Sequence, residues 1–508
     1  VDRRATVPEL TRRRNTVPIK TTCGACGKQF AVKDEYGGKR VRCPGCGDVV
    51  KVSRPVQPAA PAPTGAGGKR DVPTPPAPES IEDVGLPLEF ISDLGLKILY
   101  VHGVMNGYEI VEQIRLPYRN VVEHVIRRWR DQMLIQARSK GAVRDDATYE
   151  FTLTEDGRNY ARSLFDVTSY CGPCPVKIDD YIAMMDVQTI RGVHVTDEDL
   201  QRAFAHLVLP PGFYSQIGPG INSGRSIFLY GPSGNGKSTV AEAIADMLGK
   251  PIYIPYAIAV GNEIITVYDD ISHQPIEEQA EVEIGSWRKS RGRRGPIYVK
   301  PKQGQDARWV FCRRPAVIVG GELTMAGLDL QYNPVTKYYE APFQLKANGG
   351  VFVIDDLGRQ QIRPQDLLNR WIVPLERRID YLTFHTGRKF EVPFDELIIF
   401  CTNLDPKDLV DEAFLRRIRY KVLLPNPSLE QFAEIFERDC NTRGIEFNPD
   451  AIVYLYEEFY RKRGYSLRGC HPRDILDQII DIARFNGEEP VLTKDLVDQA
   501  WKSYFVEL

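Results

Sequence analysis

The sequence predicts an α/β protein built on a parallel sheet, closed by a C-terminal helical lid and preceded by two smaller modules. Three observations carry this. The first is Ser226–Tyr230, a short apolar run, followed by Gly231-Pro232-Ser233-Gly234-Asn235-Gly236-Lys237-Ser238-Thr239 and an Ala-rich helical segment from Val240 to Leu248. That is the phosphate-binding pattern G-x-x-x-x-G-K-[ST], with a strand before it and a helix after it. The second is Val351-Phe-Val-Ile-Asp355-Asp356, four apolar residues ending in two acids, as a buried strand ends at a polar site. The third is Leu397-Ile-Ile-Phe-Cys-Thr402-Asn403, a further buried strand with a polar end. Between about residues 185 and 425 such strands alternate with helical patterns, the signature of a parallel sheet.

The chemistry explains the spelling of the loop. Glycines let successive backbone N–H groups curl around phosphate oxygens, and the following helix turns its positive end toward them. Residues Gly231 through Thr239 are therefore expected to bind a nucleoside triphosphate, with Lys237 reaching the β- and γ-phosphates. The Ser238 hydroxyl and Asp355 are expected to hold Mg²⁺, and Asp356 to orient and deprotonate an attacking water.

Size and composition set the frame. The 508 residues suffice for three or four domains, and 43% apolar with 26% charged residues describe an ordinary water-soluble chain. No run of about eighteen apolar residues exists, so no membrane insertion is expected. The arginines at 3, 4, 12, 13 and 14 have no apolar segment behind them and do not read as a secretory signal. A formal net charge of −2 gives no overall attraction to a polyanion. Ten cysteines, four of them in a metal-like arrangement, suit a reducing cytoplasm.

In chain order, residues 1–20 read as a basic flexible tail. Residues 21–53 contain Cys23-x₂-Cys26 and Cys43-x₂-Cys46 sixteen residues apart, the spacing of a four-thiolate Zn²⁺ site. Short strands are expected at Gln29–Lys33 and Lys39–Arg42, and so short a unit would need the metal to fold. The stretch Thr22–Val52 resembles the zinc ribbons at the N-termini of many bacterial proteins. Residues 54–87 fall in a Pro/Ala-rich stretch, with nine prolines from Ser53 to Pro87, and read as a linker.

Residues 88–170 are expected to hold helices at Leu88–His102, Tyr108–Ile114 and Tyr118–Leu134. Strands at Ile135–Lys140 and Thr148–Thr154 and a last helix from Glu155 follow. On the third helix Val121, Val122, Val125, Ile126 and Trp129 form the inner face. This order, with Phe151-Thr-Leu-Thr-Glu-Asp-Gly-Arg158, resembles winged-helix domains, whose third helix enters DNA. Arg119, Arg127, Arg128 and Arg130 fit that role, whereas Glu123 and Asp131 dilute the charge, so a protein-interaction module is the leading reading and DNA the second. Cys171-Gly-Pro-Cys174 reads as two ordinary thiols in an interdomain turn, with a redox switch as the alternative.

Residues 171–425 form the nucleotide-binding unit and 426–508 the helical lid. Asp411-Glu-Ala-Phe-Leu-Arg416-Arg417-Ile418 and His471-Pro472-Arg473-Asp474 complete an ordered set that resembles the AAA+ ATPases over roughly residues 185–500. The resemblance implies ATP hydrolysis, with Asn403 sensing the lytic water. Arg417, or Arg416, would be a finger donated to a neighbouring subunit, and Arg473 a second sensor on the lid. A finger in trans implies a ring of identical subunits, a hexamer, that remodels a macromolecule, with protein as the leading target. A DNA-directed transcription regulator or remodeller and a non-hydrolysing ATP-dependent assembly switch are the rival readings.

Two departures from the family stand out. Its acidic strand ends in Asp-Glu, where this chain has Asp355-Asp356. The 117 positions from Ser238 to Asp355 also exceed a minimal core and imply an insertion. Within it, residues 285–314 carry ten Lys or Arg against one acid, with Trp287, Tyr298 and Trp309 interleaved. Because Glu277, Glu278, Glu281 and Glu283 precede it, a self-paired solvated loop is the leading reading over a nucleic-acid contact. Lys346-Ala-Asn-Gly-Gly350 resembles the turn of AAA+ clades with helix inserts, such as MoxR-like chaperones and enhancer-binding activators. On that basis Tyr332–Tyr339 is the candidate pore-facing loop.

Overall fold

A computed structural model describes residues 19–22, 29–32, 40–42, 44–46, 49–51, 72–138, 146–276, 304–409 and 412–505. The chain divides into two units, Val1–Asp71 and Val72–Leu508. In the first, Ile19–Thr22 pairs antiparallel with Gln29–Val32, and Arg40–Arg42 with Val49–Lys51. Cys23, Cys26 and Cys43 lie outside the described residues, and Cys46 sits exposed in a turn.

The second unit begins earlier than composition indicates. Proline content marks 54–87 as linker, yet Pro76 bridges Gln305, Ser80 caps the short helix Ile81–Val84, and Val84 and Leu86 are buried. Two aliphatic side chains and a capping box suffice to dock a proline-rich segment.

Next comes a helical module with helices Leu88–His102, Gly107–Ile114, Glu123–Asp131 and Glu155–Val167. A three-stranded antiparallel sheet, Val104–Asn106, Glu150–Leu153 and Ile135–Arg138, closes it. The inner face expected of the third helix is buried throughout, and Trp129 Nε1 donates to Ser92 Oγ at 2.9 Å. That helix starts later than expected. Arg119 is extended and Asn120 turns left-handed at φ 64°, so Tyr118 does not continue it.

The central sheet is wholly parallel, in the spatial order Ala316–Val319, Val351–Ile354, Leu397–Thr402, Ser226–Tyr230, Tyr420–Leu423. Its three middle strands are almost entirely buried because helices cover both faces, and each is a continuous apolar run. The phosphate-loop strand has a neighbour on either side, so the sheet's polar ends converge beside it.

The insertion builds a second, mixed five-stranded sheet, in the order Gln331–Asn333, Tyr338–Glu340, Glu263–Thr266, Ala257–Val260, Val176–Lys177. One expectation changes here. The segment 304–314 is no solvated loop: Trp309–Cys312 pairs with Ile252–Pro255, and Arg308 and Asp306 are buried together. Glu277–Glu283 and residues 285–303 lie outside the described residues. The candidate pore-facing stretch Tyr332–Tyr339 forms a hairpin. Tyr332 stacks on His385 at 4.1 Å, Tyr338 packs edge-on against Tyr170, and Ser169 N donates to Thr336 O at 2.8 Å. Aromatic content alone does not separate a loop from a packed hairpin.

The lid holds helices Leu429–Arg443, Pro449–Leu455, His471–Asn486 and Lys494–Tyr504 around their own core of Phe432, Phe436, Ile475, Ile479 and Trp501. No helix among the described residues is long and apolar enough to cross a membrane.

Candidate functional site

The phosphate loop occupies the junction that the sheet predicts for it. Gly231 takes φ 140°, and a Cβ there would meet Leu424 O at 2.1 Å, because Leu424 N donates to Tyr230 O one residue upstream. Only glycine fits so close a backbone approach. Gly236 precedes the helix Lys237–Met247 with φ 81°, which turns the first helical N–H groups into the loop.

Five of the expected residues converge. Lys237 Nζ donates to Gly231 O and Pro232 O, each at 3.0 Å, and to Asn403 Oδ1 at 2.6 Å. Asn403 Nδ2 in turn donates to Asp356 Oδ1 at 2.8 Å. Ser238 Oγ donates to Asp355 Oδ2 at 2.6 Å, across 117 positions of sequence. Burial pulls the Lys237 ammonium below the usual lysine value, while Asp356 and Asp355 pull it back. A buried cation is thus held by two loop carbonyls and an amide, next to two half-buried carboxylates. Ser238 Oγ and Asp355 Oδ2 are hard oxygen donors in contact with each other, a pair suited to a small divalent cation.

Asp356 holds a left-handed backbone, φ 51°, and its N–H donates to Asp355 Oδ1 at 3.0 Å. Gln360, which sequence reasoning missed, supports this turn: its Nε2 donates to Asp355 O at 2.7 Å and its Oε1 accepts from Gly358 N at 2.9 Å. The only sequence signal was a polar residue shortly after the acidic strand.

The arginines do not join this cluster. Arg417 Nε pairs with Glu376 Oε1 at 2.8 Å, Arg416 is exposed, and Arg473 pairs with its neighbour Asp474 at 3.1 Å, which raises its pKa. In the lid, Asn426 and Arg468-Gly469-Cys470 touch the loop, contacts also missed from sequence.

Elsewhere, Cys174 is buried and its thiol is pushed up to about 12 by desolvation. The more open Cys171 is pushed up to about 11, crowding by its neighbours outweighing the pull of Lys97.

A family model described as "Domain of unknown function (DUF8689)" matches residues 428–503, the lid. No curated protein is similar in sequence. Among solved structures, NtrX from Brucella abortus is 15% identical with a TM-score of 0.33, over 63% of this chain and 57% of that one. NtrX in complex with ADP is 16% identical with a TM-score of 0.32, over 67% and 65%. The Thermotoga maritima RuvB Holliday junction branch migration motor is 13% identical with a TM-score of 0.30, over 61% and 70%. The chain thus spans less than two thirds of NtrX. The functional reading rests on this chain's own side chains.

Proposed function

We propose that this chain is an ATP-binding and ATP-hydrolysing protein of the AAA+ type that works as a ring, a hexamer, on a macromolecular target. The observation that carries the proposal is the hydrogen-bonded chain from Lys237 through Asn403 to Asp356, with Ser238 on Asp355 beside it. The sheet order also supports it, since the phosphate-loop strand lies between the Asn403 strand and the last strand before the lid. In the proposed roles, loop N–H groups and Lys237 hold the β- and γ-phosphates, and Asp356 takes a proton from the attacking water. Asn403 holds that carboxylate in place. Ser238 and Asp355 would hold Mg²⁺, which neutralises charge on the transferred phosphoryl group. Arg417, or Arg416, and Arg473 would act only once a neighbouring subunit or a lid movement brings phosphate to them.

The target is proposed to be protein, chosen by the N-terminal modules, and the setting cytoplasmic. The first is a zinc ribbon with Cys23, Cys26, Cys43 and Cys46 as ligands, and the second a winged-helix-like module. Its third helix favours protein over DNA: Arg127 pairs with Glu123 at 3.1 Å, and Arg130 lies over the rings of Tyr149 and Phe151. A second reading, an assembly switch that binds ATP without turning it over, is favoured by Asp356 itself. Its side chain is one methylene shorter than Glu and already engaged by Asn403.

The test is ATP turnover by the purified chain beside Asp356→Asn and Lys237→Ala, with mass followed by light scattering. Turnover should fall by about 10²- to 10⁴-fold in Asp356→Asn while nucleotide binding persists. Lys237→Ala should lose binding. A nucleotide-dependent ring without turnover would replace the enzyme by the switch, and wild-type protein that binds no nucleotide would end both.

A further inference from the structure

Asn235 stands at a loop position that the phosphate-binding pattern leaves unspecified, and its side chain bonds away from Lys237 and Ser238. Nδ2 donates to Pro425 O at 3.1 Å and to Asn426 Oδ1 at 3.0 Å. Oδ1 accepts from Gly469 N at 3.0 Å. Pro425 and Asn426 lie where the last sheet strand leads into the lid, and Gly469 lies two residues before the lid helix His471–Asn486. One side-chain amide therefore ties the loop to two segments that lie 190 and 234 positions further along the chain.

The fit around it is close. A Cβ on Gly469 would lie 3.3 Å from Gly234 O. A Cβ on Gly234, where φ is 81°, would lie 2.5 Å from Cys470 Sγ and 3.8 Å from Arg468 Cδ. Arg468 is exposed beside the loop, whereas Arg473 is committed to Asp474.

We propose that Asn235 is a positioning residue that latches the helical lid onto the phosphate loop. The lid's placement, and that of Arg468 beside Gly234, then follows the conformation of the backbone that holds the phosphates. This rests on the nucleotide reading above. The physical case is that an amide is the smallest side chain able to donate to the hinge and accept from the lid at once. Ala offers neither, and a hydroxyl is too short to span both. Each bond contributes modestly, but three acting through one rigid group fix a position that none would fix alone.

The experiment is hydrogen–deuterium exchange on the full chain, with and without ADP or a non-hydrolysable ATP analogue. It compares wild type, Asn235→Ala and Asn426→Ala, with fluorescent-nucleotide binding measured in parallel. In wild type, peptides spanning 466–474 should gain protection on nucleotide binding. In Asn235→Ala they should exchange roughly tenfold faster already in the nucleotide-free chain, and in Asn426→Ala the nucleotide-induced protection should weaken while nucleotide still binds and the thermal midpoint holds. Asn426→Ala leaves the loop sequence intact and should shift the same peptides by a smaller factor, so the inference does not hang on one variant. Lid exchange identical to wild type in both variants would overturn the latch. Should wild type bind no nucleotide, the nucleotide reading fails by itself. The latch is then judged on nucleotide-free lid exchange, which Asn235→Ala must still accelerate.

Discussion

At the scale of single residues, the site is built from short polar side chains whose freedom is removed by their partners. Asn403 is the clearest case, because its two amide ends read different groups: Oδ1 accepts from Lys237 and Nδ2 donates to Asp356. Asn403→Asp would turn the donor end into a second acceptor facing Asp356 and should cut turnover by about 10²-fold or more at unchanged stability, checked by steady-state rates beside thermal melts. Gly231 is constrained sterically instead. With φ 140° and Leu424 O only 2.1 Å from a would-be Cβ, Gly231→Ala is expected to cost about 2–4 kcal/mol, measured by denaturant unfolding.

At the scale of elements, the lid carries a pH-dependent feature of its own. His471 opens the lid helix, hydrogen-bonds Tyr460 Oη through Nδ1 at 2.8 Å, and packs against Tyr504 and Phe505. Burial, reinforced by the nearby Arg468 charge, pulls its pKa down to about 4. The folded lid therefore binds the proton less readily than the unfolded chain does, for which the ordinary value is about 6.5. The stability from a neutral His471 is full above about pH 6.5 and is lost as the pH falls toward 4, at most about 3 kcal/mol. A lid-specific unfolding probe should show this loss in wild type, and His471→Gln should flatten it.

At the scale of the whole molecule, the residues from Val72 onward have hydrophobic cores of their own. Inside that unit one buried, ion-paired arginine joins distant parts. Arg308 binds Asp306 through Nη2 at 2.8 Å, and its Nη1 donates to Val84 O at 3.1 Å and Pro175 O at 3.3 Å. This ties the start of the unit to the insertion. Arg308→Met would leave Asp306 buried without its cation and should cost about 3–5 kcal/mol in calorimetric unfolding. Asp306→Leu combined with Arg308→Leu should recover part of the loss, since no uncompensated charge then remains.

The sequence by itself determined what depends on local pattern: the strands Val351–Ile354 and Leu397–Thr402, the phosphate loop and the helix Leu88–His102. Each is a run whose periodicity or glycine spacing has one physical solution. It also named the five residues that meet at the site: Lys237 and Ser238 from the loop pattern, Asp355 and Asp356 from the acidic strand end, and Asn403 from the resemblance to AAA+ ATPases. Only the tertiary structure decided which long-range contacts form. That proline-rich residues 72–87 dock, that Trp309 and Arg308 are buried, and that Tyr332–Tyr339 is a packed hairpin all depend on partners far along the chain. So does the tie from Asn235 to Gly469, and so does the placement of Arg473 on Asp474 rather than in the Lys237 cluster. Local sequence sets what a side chain can bond; the fold sets what lies within reach of it.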